Sequence, residues 1–170
     1  MTTEKNTELE YYFKHSMGFW ISQTATALHD YFDRNFKECG YKVTEALVIM
    51  ILSVHKTVPL VELSKRMKFS HPSVLRHIDA LEKMGIVQRL PHPEDRRIKL
   101  LSLTDEGKKA VPSVEQSFKN VHNFCKSAFS DGEEIKLLEL LKKLHQKLLP
   151  EGEWLESHIK MKTEKKSTEE

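Results

Sequence analysis

The sequence predicts a mainly α-helical protein, about six helices with one small antiparallel β-hairpin. Three observations lead there. Glycine and proline number only six each among 170 residues, too few for a turn-rich β protein. Most apolar residues recur at steps of three and four. Two short β-prone runs, Val87–Leu90 and Ile98–Leu101, flank a polar turn that holds Pro91 and Pro93.

The elements follow in order. Leu9, Tyr12, Phe13, Met17, Trp20, Leu28, Tyr31 and Phe32 form one long apolar stripe, read as a single first helix. Gly40 follows it, and Thr44 is the expected N-cap of a second helix, with Val43 and Val48 as its hydrophobic staple. Leu47 to Leu52 are apolar on most sides, which makes that helix central. Pro59, tolerated at a helix start, precedes a short third helix from Leu60 to Met67. Ser70 is the expected N-cap of a fourth, His71–Met84, which Gly85 ends. After the hairpin, Thr104 opens a fifth helix through Phe129, with a kink expected at Pro112. Ser130 and Glu133 form a capping box for a sixth, whose Ile135, Leu138, Leu141, Leu144 and Leu148 lie on one face. The tail beyond Pro150 is charged.

Composition bounds the function. Cys39 and Cys125 cannot build a disulfide framework and suit a reducing cytoplasm. The polar start MTTEKNTELE is no signal peptide, and no apolar run approaches the ~20 residues of a membrane span. The net charge is only +2, but it is unevenly placed. Residues 56–99 hold ten basic side chains against five acids, a surplus of +5 that leaves −3 elsewhere. A basic centre between acidic flanks points to a nucleic-acid face.

Two short helices joined by a tight turn, then a hairpin with a charged tip, is the order of a winged helix-turn-helix. On the fourth helix Val74, Ile78 and Leu81 step by four and three and should face the core. Ser73, Arg76, His77, Ala80 and Lys83 should occupy the opposite side, basic and hydroxylated, suited to the major groove. The free backbone donors at Ser70, His71 and Ser73 suit a phosphate. In the wing, Arg96 and Arg97 are candidate DNA contacts. Asp95 stands two residues before Arg97 and can hold it extended for the minor groove.

VELSKRMKFSHPSVLRHIDALEKMGIVQRL, the wing PHPEDRRIKLLSLT and the following TDEGKKA resemble the MarR family of bacterial transcriptional regulators. The resemblance implies an obligate homodimer on a pseudo-palindromic operator, most often as a repressor. It implies recognition-helix contacts at Arg76 and Ser73, a minor-groove arginine at Arg97 and an orienting partner at Asp95. It divides the chain into a dimerisation helix at 1–40, a winged helix at 41–103, dimerisation helices at 104–150 and a tail at 151–170. Leu75 stands where many members have threonine, Pro59 replaces a threonine-type cap, and His77 is not the commonest choice at its position.

The family also implies a small-molecule effector. His15, Phe19 and Trp20 are candidates to line a pocket for an aromatic or amphipathic ligand; the alternative is that they are core or dimer packing. No cofactor is expected. The nine histidines show no metal-ligand spacing, and no phosphate loop or nucleophile elbow is present, so an enzyme is not expected. Two alternatives are a winged-helix protein-interaction module without DNA binding, and a redox-responsive regulator acting through Cys39 or Cys125.

Overall fold

A computed structural model describes residues 10–67, 69–95 and 97–148. The elements run α1 (Met17–Glu38), α2 (Val43–Val54), β1 (Val58–Pro59), α3 (Leu60–Met67), α4 (His71–Lys83), β2 (Val87–Pro91), β3 (Lys99–Leu103), α5 (Asp105–Lys126) and α6 (Asp131–Leu148). A further helical segment at 10–15 precedes α1.

The single first helix expected from the apolar stripe is broken at Ser16. Its backbone is extended there, and its hydroxyl accepts a hydrogen bond from Phe19 N at 3.3 Å, which caps α1. The second helix also starts earlier than expected. Lys42, not Thr44, is the N-cap residue, and the Glu45 carboxylate accepts from Lys42 N at 3.0 Å. The Val43–Val48 staple is therefore not formed as a cap, and Val48 is wholly buried core. A buried carboxylate answering a backbone donor outweighs the propensity of Thr44 to cap.

One core cluster joins the helices to the sheet. It takes Ala46, Val48, Ile49 and Leu52 from α2, Val74, Ile78 and Leu81 from α4, and Leu101 and Leu103 from β3. Phe36 of α1 and Val114 and Val121 of α5 belong to the same cluster. Phe36 meets Phe118 edge-on at 4.7 Å between ring centroids, and Tyr31 stacks on Phe124 at 4.1 Å. Each fully buried Val, Leu, Ile or Phe side chain of the cluster stabilises the fold by about 1.5–3 kcal/mol relative to leaving it exposed.

The sheet is antiparallel in the order β1-β3-β2. Val87 pairs with Leu103 and Pro91 with Lys99, so the second strand sits further along than Ile98–Leu101 and leaves Ile98 in the turn. Val58 pairs with Leu101 and Pro59 with Leu100, which adds a two-residue edge strand ahead of α3. Gly85, at φ +72°, ends α4 and turns the chain into β2.

The hairpin is anchored to α5 at a single corner. Thr104 N donates to the Ile86 carbonyl at 3.0 Å, and the Thr104 hydroxyl accepts from Gly107 N at 3.0 Å. A Cβ at Gly107 would collide with that Ile86 carbonyl, so glycine permits the close approach. α5 runs on through Pro112 and ends at Lys126, short of Phe129. Ser130 N then donates to Glu133 at 2.9 Å to begin α6.

Apolar surface remains uncovered at both ends of the chain. No residue of α6 is buried, and Ile135, Leu138, Leu140, Leu141 and Leu148 are all exposed. Tyr11, Tyr12, Phe13, Met17 and Trp20 form a second exposed group. None of the described helices is long and apolar enough to cross a membrane.

Candidate nucleic-acid interface

α4 sorts its faces as its 3.6-residue period requires. Val74, Ile78 and Leu81 are fully buried, while Arg76 and Lys83 are exposed on the opposite side. Ser73 is half-buried on the flank. At the N-terminus Ser70 occupies the N-cap position, and its carbonyl accepts from Ser73 N and Val74 N. Its hydroxyl makes no capping bond and stays exposed, so the expected side-chain cap is absent. His71 is exposed, with Nδ1 3.4 Å from the Ser64 hydroxyl.

His77 departs from the outward placement expected of it. Its side chain is 21% exposed, and Nδ1 lies 3.6 Å from Oε1 of the buried Glu45. Residue 77 is three after Val74 and four before Leu81, so it borders the buried stripe and its ring lies over Glu45. Ala80 is likewise half-buried. The outward set on α4 is thus narrower than the sequence suggested, centred on Arg76 and Lys83.

Two carboxylates flank that set, and both are held by one cation. Arg89 of β2 places Nη2 2.5 Å from Asp79 Oδ1 and Nη1 2.8 Å from Glu82 Oε2. A guanidinium fork spanning two acids of α4 offsets the charge that would otherwise repel phosphate from this helix. Sequence reasoning counted Arg89 in the basic centre without assigning it this part. The available signal was its period-two position in β2, in step with the buried Val87.

The wing tip is built from its own side chains. His92 N donates to the Ile98 carbonyl at 3.1 Å, closing the turn beyond β2 and β3. The His92 ring accepts at Nδ1 from Glu94 N at 3.2 Å and Asp95 N at 3.3 Å, which requires that nitrogen to be unprotonated. Asp95 Oδ1 accepts from Arg97 N at 3.0 Å and Arg97 Nε at 3.1 Å, and its Oδ2 accepts from Nη2 at 3.1 Å. Hydrogen bonds from the Arg97 guanidinium, and then from its backbone N–H, hold the Asp95 carboxyl below its usual value, and Asp95 raises Arg97 in return. Arg97 remains 90% exposed although it is held at one edge. Its other donors face solvent, the state in which an arginine can enter a narrow groove. Arg96 lies outside the described residues.

The candidate pocket residues gather with the 10–15 segment. Trp20 Nε1 donates to the Lys14 carbonyl at 2.8 Å, His15 stacks on Tyr11, and Phe19 packs edge-on against Phe13 and Trp20. Cys39 is half-buried, donating its thiol to the Phe36 carbonyl at 3.2 Å, and Cys125 is half-buried on α5. Among the described residues no three His, Cys, Asp or Glu side chains come together in a way that could hold a metal ion.

Residues 42–99 match the model of the MarR family. The HTH-type transcriptional regulator BilQ of Clostridioides difficile (strain CD3) is 29% identical over 107 residues, 62% of this chain and 70% of that protein. A mutant of Escherichia coli MarR complexed with operator DNA superposes with a TM-score of 0.71 at 22% identity, covering 79% of this chain and 96% of the other. CouR, a transcriptional repressor bound to a 23-mer DNA duplex, superposes at 0.73 with 18% identity, over 79% of this chain and 95% of its own. These two likenesses fix the fold as a winged helix-turn-helix.

Proposed function

We propose that the chain, whose residues 42–99 match the MarR family, is a MarR-type transcriptional regulator that binds a double-stranded operator as a homodimer. α4 enters the major groove with Arg76 as its base-reading residue. Ser70, His71, Ser73 and Lys83 contact phosphates at its two ends. The wing enters the minor groove with Arg97 foremost and Arg96 beside it. His77, turned onto Glu45, sets the seat of the helix instead of reading DNA. The protein acts as a repressor in the bacterial cytoplasm, and a small apolar effector releases it.

The observation that carries this reading is the Asp95–Arg97 fork. An exposed guanidinium held by two hydrogen bonds to one carboxylate, which a third from its own backbone N–H fixes in place, has lost much of its conformational freedom before it meets a ligand. In this reading residues 1–40 and 104–150 supply the dimer contacts, 41–103 the DNA contacts, and 151–170 a charged tail. The exposed apolar groups on 10–15, α1 and α6 are the surface that a second copy covers.

Selection of bound duplexes from a random pool tests the proposal. The expected product is a pseudo-palindrome with half-sites about one helical turn, ~10 base pairs, apart. A pool that shows no enriched sequence after repeated rounds overturns it.

A further inference from the structure

His92 stands between two prolines at the start of the wing tip, half-buried. The residue before a proline is confined to extended backbone, so Pro93 limits the directions open to the imidazole. Pro93 also has no N–H to offer. The first two donors of the turn are therefore Glu94 N and Asp95 N, and both donate to His92 Nδ1, at 3.2 and 3.3 Å. The main chain closes the tip around them, since His92 N donates to the Ile98 carbonyl and Ile98 N to the Asp95 carbonyl.

A series of contacts runs from this ring to the wing arginine. The ring holds Asp95 by its backbone, and the Asp95 carboxylate holds Arg97 through N, Nε and Nη2. An imidazole has an acceptor nitrogen only while it is neutral; once protonated, both ring nitrogens are donors. A charged ring would turn an N–H toward two N–H groups and compete with Arg97 for the Asp95 carboxylate. Among the described residues, the charged side chains of the turn and of the strand end that follows it are Glu94, Asp95, Arg97 and Lys99. Asp95 is lowered from 3.8 foremost by Arg97 and to a lesser degree by the charge of His92. It therefore stays ionised over the range in which histidines change charge, about pH 5–8.

We propose that His92 is the positioning residue of the wing: its neutral imidazole holds Asp95 in place to hold Arg97, and protonation of the ring releases the arginine and weakens duplex binding. The sign is opposite to that of charge alone, because an added cation attracts phosphate. The consequence for DNA rests on the regulator reading above; the hold on Asp95 and Arg97 does not.

Two measurements on the full chain test the role, each run from about pH 8 to about pH 5. The first is affinity for the selected duplex, with His92→Asn and His92→Ala beside the native chain. Asparagine offers an oxygen to the same two donors and does not titrate in this range. His92→Asn should therefore match the native chain within about twofold at the alkaline end and bind about fivefold more tightly than it at the acid end. His92→Ala should bind about fivefold more weakly than the native chain at the alkaline end. All three chains carry His71 and His77, so the titration of those residues cancels in the ratios. The second is nitrogen-15 magnetic resonance of the chain without DNA. The amide signals of Glu94 and Asp95 and the Nε signal of Arg97 should move with the midpoint of the His92 ring, and should not move in His92→Asn. A native chain that holds or gains affinity relative to His92→Asn on acidification overturns the proposal, as do Arg97 signals that ignore the ring. A chain that selects no duplex, while its Arg97 signal follows the ring, loses the regulator reading alone. One that binds the duplex with the same pH profile as His92→Asn loses the positioning role alone.

Discussion

Arg97 and Asp95 stand two residues apart in one turn, and such a pair is legible in a sequence because the chain itself brings the partners together. The pairing has a pH signature. Asp95 is held below its ordinary value of 3.8 by Arg97, so its contribution is complete above that value and is lost only as the pH falls through the lowered one. A carbon-detected titration of the Asp95 carboxyl should therefore show a midpoint below 3.8, and one at or above 3.8 contradicts the fork. Arg97→Ala should cost roughly 1–3 kcal/mol of duplex binding while leaving thermal stability unchanged, since the side chain is almost wholly exposed. His77 and Arg89 were less legible. The partner of His77 is Glu45, on another helix, and Arg89 reaches acids ten and seven residues back across the turn that ends α4. Neither contact leaves a mark in local spacing.

Whole elements were read well where period or a cap decided them. The buried stripe of α4, the stop at Gly85 and the Thr104 cap all stand as expected. What escaped was set by tertiary pairing. β1 is two residues long, too short for alternation to register, and it exists because Leu100 and Leu101 offer an open edge. The break at Ser16 hid inside an unbroken apolar stripe. Two substitutions test how elements are joined. Arg89→Met frees Asp79 and Glu82 to repel phosphate, so duplex affinity should fall about tenfold. Stability should change by less than about 1 kcal/mol, because the ion pairs are partly exposed. Loss of stability without loss of DNA binding would assign Arg89 to packing. Gly107→Ala forces α5 off the Ile86 carbonyl and should cost roughly 1–3 kcal/mol, read as a lower melting temperature.

At the scale of the whole molecule, the uneven charge and the uncovered apolar faces both fit the proposed dimer on DNA. The basic centre spans the winged helix, and the exposed leucines of α6 and aromatic residues of 10–15 lie on the terminal segments outside it. A two-fold dimer would cover those terminal faces and present two recognition helices to one duplex. Light scattering should give twice the chain mass of 19.8 kDa, and Leu138→Glu should shift it toward one. The terminal apolar stripes are legible in the sequence; that they stay open on a single chain is not, because it depends on the core closing without them.

The most direct measurement is fluorescence anisotropy of the selected duplex against a scrambled one, repeated over a series of salt concentrations with Arg76→Ala/Arg97→Ala beside the native chain. The native chain should prefer the selected duplex by about a thousandfold or more, with affinity falling steeply as salt rises. The double variant should lose about a hundredfold and keep its dimeric mass. Equal affinity for the two duplexes, or a double variant that binds as the native chain does, would contradict DNA recognition through α4 and the wing.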